Sequence, residues 1–485
     1  MQDTILVLSR NPGLSGLTAR TLRCRQVYCT PLPFATSAQE ASALMPRGIV
    51  LAADDEDGDA LEDFDFSLLT AGVPVLALGA AAAALCRHYG GRCDEIASGN
   101  GAVTLGLTDD PLFSEITGGE RMLRGIYELT LPDVLVPLAT ATERVIGFKH
   151  TLLPLYALQY PIERNDPDAA QLLYNFACRV CGCKPDWDED SIIDQAVNRI
   201  RNVAAEGRVM CAVSGGVDSA VCAKLASLAV GDRLICVFVD TGLFRLDEPQ
   251  SVIGGFMDTM GLVVAYVDAK EAFLRTLSGV SGPEDKERIA SSLMTQILLK
   301  QLIYEPDVHT LIMGTNFNDA LYGFSPSGEI DVAKGDADLR VSEPVRNLFK
   351  DEVRRLAVAL ELPASIAERR PFPSSGLALR VMGNVTEERL DVLRAADACF
   401  TEEIRQGGYE KRLWQYYATL VEGPDQPGTH AICLRALQAA QGGAYAARLP
   451  FDVLERAAER IRSEVHGISR VVYDLTPSAH YGELE

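Results

Sequence analysis

Short uninterrupted apolar runs alternate with stretches of helical spacing through the first part of the chain. TILVLSR (4–10), GIVLAADD (48–55), VPVLALG (73–79), VIGFKH (145–150) and LYALQY (155–160) read as buried strands, the pattern of an α/β sheet. CRVCGCKPDWDED (178–190) mixes cysteine, glycine, proline and acid and breaks the periodicity, which puts a boundary near residue 188. The alternation resumes with the helix SIIDQAVNRIRNVAA (191–205) and the strands RVMCAV (208–213), LICVFVD (234–240), LVVAYVD (262–268) and TLIMGT (310–315), each followed by helical spacing. That predicts a doubly wound parallel sheet. From about residue 365 the pattern is mixed, with RVMGNVTEERLDVLRAADACFTEEI (380–404), AICLRALQAA (431–440), LPFDVLERAAERIRSEV (449–465) and the strand-like ISRVVYDL (468–475). The expected division is an α/β domain over 1–188, a parallel-sheet domain over 189–364 and a smaller α+β domain over 365–485.

Length and composition narrow this picture. At 485 residues the chain is too long for one ordinary core, and 47% apolar with 23% charged residues marks it as globular. A net charge of −22 argues against a nucleic-acid surface but leaves room for small anionic substrates in a local basic pocket. No run is long and apolar enough to span a membrane, and the start, MQDTILVLSR, lacks a signal-peptide pattern, so a cytoplasmic protein with no membrane partner is expected. The twelve cysteines fall mostly in apolar runs, with Cys211 and Cys236 in strand-like segments and Cys222 in a helix. They read as reduced core thiols. The cluster Cys178, Cys181 and Cys183 has no obvious fourth zinc ligand and is read as packed rather than metal-binding.

The strongest chemical signal is VSGGVDSAV (213–221), set between a strand and a helix. Gly215 and Gly216 let the backbone turn its amides onto an anion, and the helix opening at Val217 adds its positive end. Ser214 and Ser219 supply hydroxyls, and Asp218 is a candidate Mg²⁺ ligand. There is no Gly-Lys-Ser/Thr ending, so this is not the common phosphoryl-transfer loop. A pyrophosphate-binding loop is expected.

Ser-Gly-Gly-Val-Asp-Ser after a buried strand resembles the loop of the ATP pyrophosphatases, which split ATP between the α and β phosphates. Further blocks narrow the resemblance to the GMP synthases: CVFVDTGLFRLDE (236–248), GTNFND (314–319), EPVRNLFKDEVRRL (343–356), RRPFPSSGLALRVMG (369–383) and GISRVVYDL (467–475), in the family's order. The resemblance implies ATP on Ser214, Gly215, Gly216, Val217, Asp218 and Ser219, with Val239 near the adenine, Mg²⁺ on Asp218, and Gly314 and Asp319 in the same nucleotide site. It implies catalytic roles for Asp218, Ser219, Lys350 and Asp351. Contacts to the acceptor are expected from Lys334, Arg380, Arg435 and Glu485. The reaction implied is adenylation of XMP, then displacement of AMP by ammonia, in a homodimer whose interface includes parts of 380–485.

The N-terminal part resembles the class I glutaminase domain of that family in outline, without its chemistry. The Gly-x-Cys-x-Gly elbow falls on Ala77, Gly79 and Ala81 of LALGAAAAALCRHYGG (76–91), leaving no nucleophile. Pro161 stands in place of the histidine in QYPIE (159–163), where only Glu163 remains, and Ala53 and Asp54 stand where paired glycines form the oxyanion loop. Cys86 and His88, at i and i+2 on a helix, face different ways and do not form a substitute pair. The remaining histidines are isolated in sequence and are given no catalytic role.

Three features depart from the family pattern at the acceptor end. The lid segment is shortened to DVAKGDADLRV (331–341), the Pro-Gly-Pro-Gly loop becomes Pro373-Ser374-Ser375-Gly376, and the tail is TPSAHYGELE (476–485). Three readings therefore stay open: a GMP synthase using free ammonia or ammonia from a separate glutaminase subunit, a paralogue acting on another nucleotide or base, and a non-catalytic nucleotide-binding scaffold. Sulfur transfer ranks below amination, since it needs an exposed, acidic cysteine near the loop.

Overall fold

The computed structural model describes every residue except 1, 55–60, 96–100, 124–126, 164–165, 322–338, 371, 373–374, 424–428, 441–442 and 477–485. The chain divides into two units, Met1–Ser191 and Ile192–Glu485.

In the first unit, β1 (Ile5–Ser9), β2 (Cys29–Pro33), β3 (Gly48–Ala53) and β4 (Val75–Gly79) run parallel, and β1 and β3 are buried at every position. Continuous apolar runs pack this way because helices cover both faces of a parallel sheet. Beyond a short two-stranded sheet of β5 (Arg92–Glu95) and β8 (Tyr127–Thr130), the main sheet adds β6 (Gly101–Leu107), β7 (Gly119–Leu123), β9 (Leu135–Ala141), β10 (Arg144–His150) and β11 (Leu155–Leu158). The order is β2-β1-β3-β4-β11-β10-β9-β6-β7, mixed because β10 pairs antiparallel with both β9 and β11. The sheet passes directly into the helix Ala80–His88 at Gly79.

The second unit holds a five-stranded parallel sheet in the order β14-β13-β12-β15-β16: β12 (Arg208–Val213), β13 (Leu234–Asp240), β14 (Val264–Asp268), β15 (Val308–Ile312) and β16 (Arg340–Ser342). The chain winds outward from β12 in one direction and then restarts at β15 on its other side, so the crevice at the carboxyl ends of β12 and β15 is the topological switch point. β12 and β13 coincide with the predicted runs, while β15 starts and ends earlier than TLIMGT suggests. A second sheet, β17 (Gln415–Glu422), β18 (His430–Ala440), β19 (Gly443–Ala446) and β20 (Ile468–Tyr473), is backed by the helices Glu387–Gln406 and Phe451–Glu464. Residue 365 was the expected edge of a third domain. One apolar cluster runs across that edge, from Met210 and Phe273 through Leu377 and Phe400 to Ile461, so the two sheets share a core.

All twelve cysteines are free, and among the described residues no helix is long and apolar enough to cross a membrane. Burial pushes the Cys236 thiol up to about 12 and holds Cys211 and Cys222 well above the ordinary range, which makes all three inert.

Candidate functional site

The loop after β12 sits at the switch point. The helix Val217–Val230 opens from Gly216 with no side chain capping its first turn, which leaves its amino end to an anion. Gly215 has φ +83°, and a Cβ there would come within 2.4 Å of Val252 Cγ2 and 2.5 Å of Arg369 Nη1. Glycine is required at this position both for the turn and for space.

Asp218 lies on the first turn of that helix, and Lys350 Nζ donates to its Oδ2 at 2.5 Å. Lys350 is the first residue of the helix Lys350–Ala359, whose start is secured by Glu352 accepting the main-chain N–H of Phe349 at 2.8 Å. Glu352 is buried, so the helix enters at a set angle and delivers Lys350 to the loop. Asp218 Oδ1 is buried without a hydrogen-bond partner among the described residues. An orphaned carboxylate oxygen next to open amides fits Mg²⁺, which takes one or two protein carboxylates and otherwise water or phosphate oxygens.

Ser219 is buried and committed to the loop itself. Its Oγ donates to Gly216 O at 3.0 Å, accepts from Ser214 N at 3.2 Å and lies 3.3 Å from Ser214 Oγ. It braces the turn, whereas Ser214 is exposed and stands where a ligand would meet it. A Cβ on Gly314 would lie 2.9 Å from Ser219 N and 3.2 Å from Asp218 C. Gly314 therefore serves close packing of the β15 loop on the amino end of the helix.

Other expected residues fall differently. Asp319 Oδ2 accepts the N–H of Asn316 at 2.9 Å, closing the turn before the helix Phe317–Leu321. The Val239 side chain is buried in the core, so only its main chain could meet a ligand; the β12–β13 pairing ends at Val213 and Phe238, one residue short of it. Asp351 is exposed and accepts from Arg355 Nη1 at 3.4 Å, so the structure does not bring it to the loop with Lys350. Successive residues on a helix project about 100° apart, which separates the two.

Arg380 and Arg435 are brought together around Tyr417. Arg380 Cζ stacks 3.4 Å from the centre of its ring, and Arg435 is its cross-strand partner on β18. Arg435 pairs with Asp474 at 3.3 Å and donates to Thr476 O at 2.8 Å. Both arginines are buried, one on an aromatic face and one on a carboxylate. Ser375 and Gly376 lead into this region, Gly376 at φ +58° with Leu377 N donating to Leu243 O at 2.7 Å. Lys334, Pro373, Ser374 and Glu485 lie outside the described residues.

Sequence reasoning passed over Arg369 and Glu248, which pair with each other beside the loop, and Tyr417. Arg369 and Glu248 sit within the quoted blocks RRPFPSSGLALRVMG and CVFVDTGLFRLDE, but nothing in either block marks the one charged residue that turns toward the loop.

In the first unit the strand-to-helix corner at Gly79 has φ +66° and ψ −134°. A Cβ at Gly79 would lie 2.1 Å from the carbonyl oxygen of Ala53. Cys86 is buried with Sγ 3.8 Å from Thr130 O, while His88 is exposed and stacks on Phe66 at 4.0 Å, so the two do not form a pair.

Residues 190–400 match the NAD synthase family, and residues 402–480 match the GMP synthase C terminal domain. The chain is 33% identical over 499 residues to GMP synthase (glutamine-hydrolyzing) of Carboxydothermus hydrogenoformans, covering 98% of both chains. It is 34% identical over 506 residues to the enzyme of that name from Oleidesulfovibrio alaskensis, again 98% of each. With that of Parasynechococcus marenigrum it shares 34% over 512 residues, 98% of this chain and 96% of the relative. Likeness over nearly the whole length, together with a phosphate loop set at the switch point and backed by Lys350, shows that the chain belongs to the GMP synthase (glutamine-hydrolyzing) family.

Proposed function

We propose that this chain aminates XMP to GMP with ATP, using ammonia that its own N-terminal unit does not release from glutamine. The observation that carries the reading is the corner at Gly79. A cysteine glutaminase needs a thiolate at the elbow, a base beside it and an oxyanion hole. Here the elbow residue is Gly79, the carbonyl of Ala53 occupies the space a Cβ would need, and Pro161 stands where the base belongs.

The phosphate-loop side of the synthetase half carries the groups this chemistry needs. The uncapped amino end of the helix at Val217 and the ammonium of Lys350 bind the triphosphate and absorb charge that grows on the departing pyrophosphate. Asp218 would hold Mg²⁺, which would supply neutralisation of phosphate charge. O2 of the xanthine attacks the α-phosphorus, the bond to the pyrophosphate breaks, and an adenylated purine results. Ammonia then adds at C2, loses a proton to solvent and expels AMP. The buried pair Arg380 and Arg435 around Tyr417 is our candidate for the acceptor side, with Lys334 and Glu485.

Ammonia from solution and ammonia from a separate glutaminase subunit are both compatible with this reading. We also propose a homodimer through the C-terminal region, supported by exposed apolar side chains there: Phe451 at the start of its helix, Val472 on β20 and Leu475 just beyond it.

The test is pyrophosphate release and GMP formation by the purified chain with MgATP and XMP, with ammonium chloride or glutamine as nitrogen source. GMP with ammonium and none with glutamine is the expected result. GMP with glutamine alone would sink the ammonia reading, and ATP binding without turnover of XMP would point to another acceptor.

A further inference from the structure

The carbonyl oxygen of Gly215 is held from outside the loop: Arg369 Nη1 donates to it at 2.6 Å. The Nη2 arm of the same guanidinium pairs with Glu248 Oε1, and Glu248 Oε2 accepts the main-chain N–H of Arg245 at 2.8 Å. One side chain thus bridges the loop after β12, the turn after β13 and the start of segment 369–383. The Arg369 side chain is 25% exposed and that of Glu248 10%, so the pair is largely withdrawn from water. Burial and the neighbouring Arg245 pull Arg369 down to about 10, which still leaves it charged at neutral pH.

The consequence follows from the planarity of the peptide. In a trans peptide the C=O and N–H point in opposite directions. With the Gly215 carbonyl turned onto Arg369, the Gly216 N–H is aimed to the other side, where it donates a long hydrogen bond of 3.4 Å to the exposed Ser214 Oγ that a bound anion would replace. A peptide between two glycines is the least restrained in any chain, and its rotation would present a carbonyl in place of an N–H. An anion site built on such a peptide needs an outside contact to choose the face.

We propose that Arg369 is a positioning residue for the phosphate loop, holding the Gly215–Gly216 peptide with its N–H toward a bound polyphosphate and tying that orientation, through Glu248, to the turn after β13. The proposal rests on the polyphosphate reading of the loop. Arg369 touches the backbone of the loop and not the reacting atoms, so its signature is a selective loss of phosphate affinity.

Inorganic pyrophosphate and adenosine, each with Mg²⁺, are titrated calorimetrically into the full-length chain and into Arg369→Met, Arg369→Lys and Glu248→Gln. Losing one preorganised donor is expected to weaken pyrophosphate about tenfold in Arg369→Met, with adenosine changed less than about twofold. Arg369→Lys restores part of the pyrophosphate affinity, since an ammonium can donate to Gly215 O but cannot also fork onto Glu248. If Arg369→Met does not fold, Arg369→Lys and Glu248→Gln carry the same comparison. Unchanged pyrophosphate affinity, or equal weakening of both probes, overturns this proposal alone. A wild-type chain that binds adenosine but no pyrophosphate overturns the polyphosphate reading and the proposal with it.

Discussion

Lys350 Nζ lies 2.5 Å from Asp218 Oδ2, joining the start of one helix to the first turn of another across 132 positions of sequence. Both side chains are mostly buried, at 16% and 13% exposure, and Asp218 Oδ1 has no partner among the described residues. The pair places one positive charge beside the open amides of the phosphate loop.

Lys350→Met is expected to lower the rate of XMP-dependent pyrophosphate release by about two to three orders of magnitude, the usual effect of losing a charge-stabilising donor. It should also destabilise the fold by roughly 1–3 kcal/mol, because Asp218 is left partly buried without its partner. Steady-state kinetics and urea unfolding read the two effects. An unchanged rate would remove Lys350 from the active site.

Asp218→Asn keeps the shape of the side chain but weakens its hold on a cation. The Mg²⁺ concentration for half-maximal activity should rise at least about tenfold, with maximal activity partly recovered at high Mg²⁺. A Mg²⁺ dependence identical to wild type would move the metal elsewhere.

Gly314→Ala puts a methyl group 2.9 Å from Ser219 N, against backbone that has no side-chain torsion with which to give way. A stability loss of about 1–3 kcal/mol is expected, as for other overpacked sites. The amino end of the helix Val217–Val230 should shift with it, so the KM for ATP rises more than the KM for XMP. Equal changes in both would argue against a local displacement of the loop.

Gly79→Cys tests the N-terminal unit. The new Cβ would meet the Ala53 carbonyl at 2.1 Å, and φ is +66°, so the variant should be less stable and should still release no glutamate from glutamine. Glutamate release coupled to GMP formation would show that the site lacks only its thiol.

Lys286 supplies a pH dependence. Its Nζ is buried and donates to the carbonyls of Ala378 at 3.2 Å and Val381 at 2.6 Å, on either side of Arg380. Burial lowers it from 10.5 to about 8. Between pH 8 and 10.5 the unfolded chain binds this proton more than the folded one does, so this group makes stability rise with pH across that window. The stability lost in Lys286→Met should therefore be larger at pH 9.5 than at pH 7.5 by chemical denaturation. A constant difference would mean that the ammonium is not destabilised in the fold.

Much of this protein was legible in short windows of sequence. β12 and β13 match their predicted bounds because each is a continuous apolar run closed by turn residues, and the phosphate loop reads directly because its glycines, serines and Asp218 are neighbours in the chain. The glycine at the strand-to-helix corner, Gly79, was equally local. What only the tertiary structure decided is which distant charges meet. Lys350 turns toward the loop and Asp351 away, though they are neighbours in the chain, because helix geometry sends adjacent side chains in different directions and the packing of the helix chooses between them. Arg369 reaches Gly215 across 154 positions, Arg435 meets Tyr417 because β17 and β18 pair in that register, and Arg380 reaches the same ring because Val381 bridges to Leu420 of β17. Apolar periodicity specifies elements, since burial acts on each segment separately, but a charged side chain carries no such pattern, and its partner is set by where the assembled core leaves it.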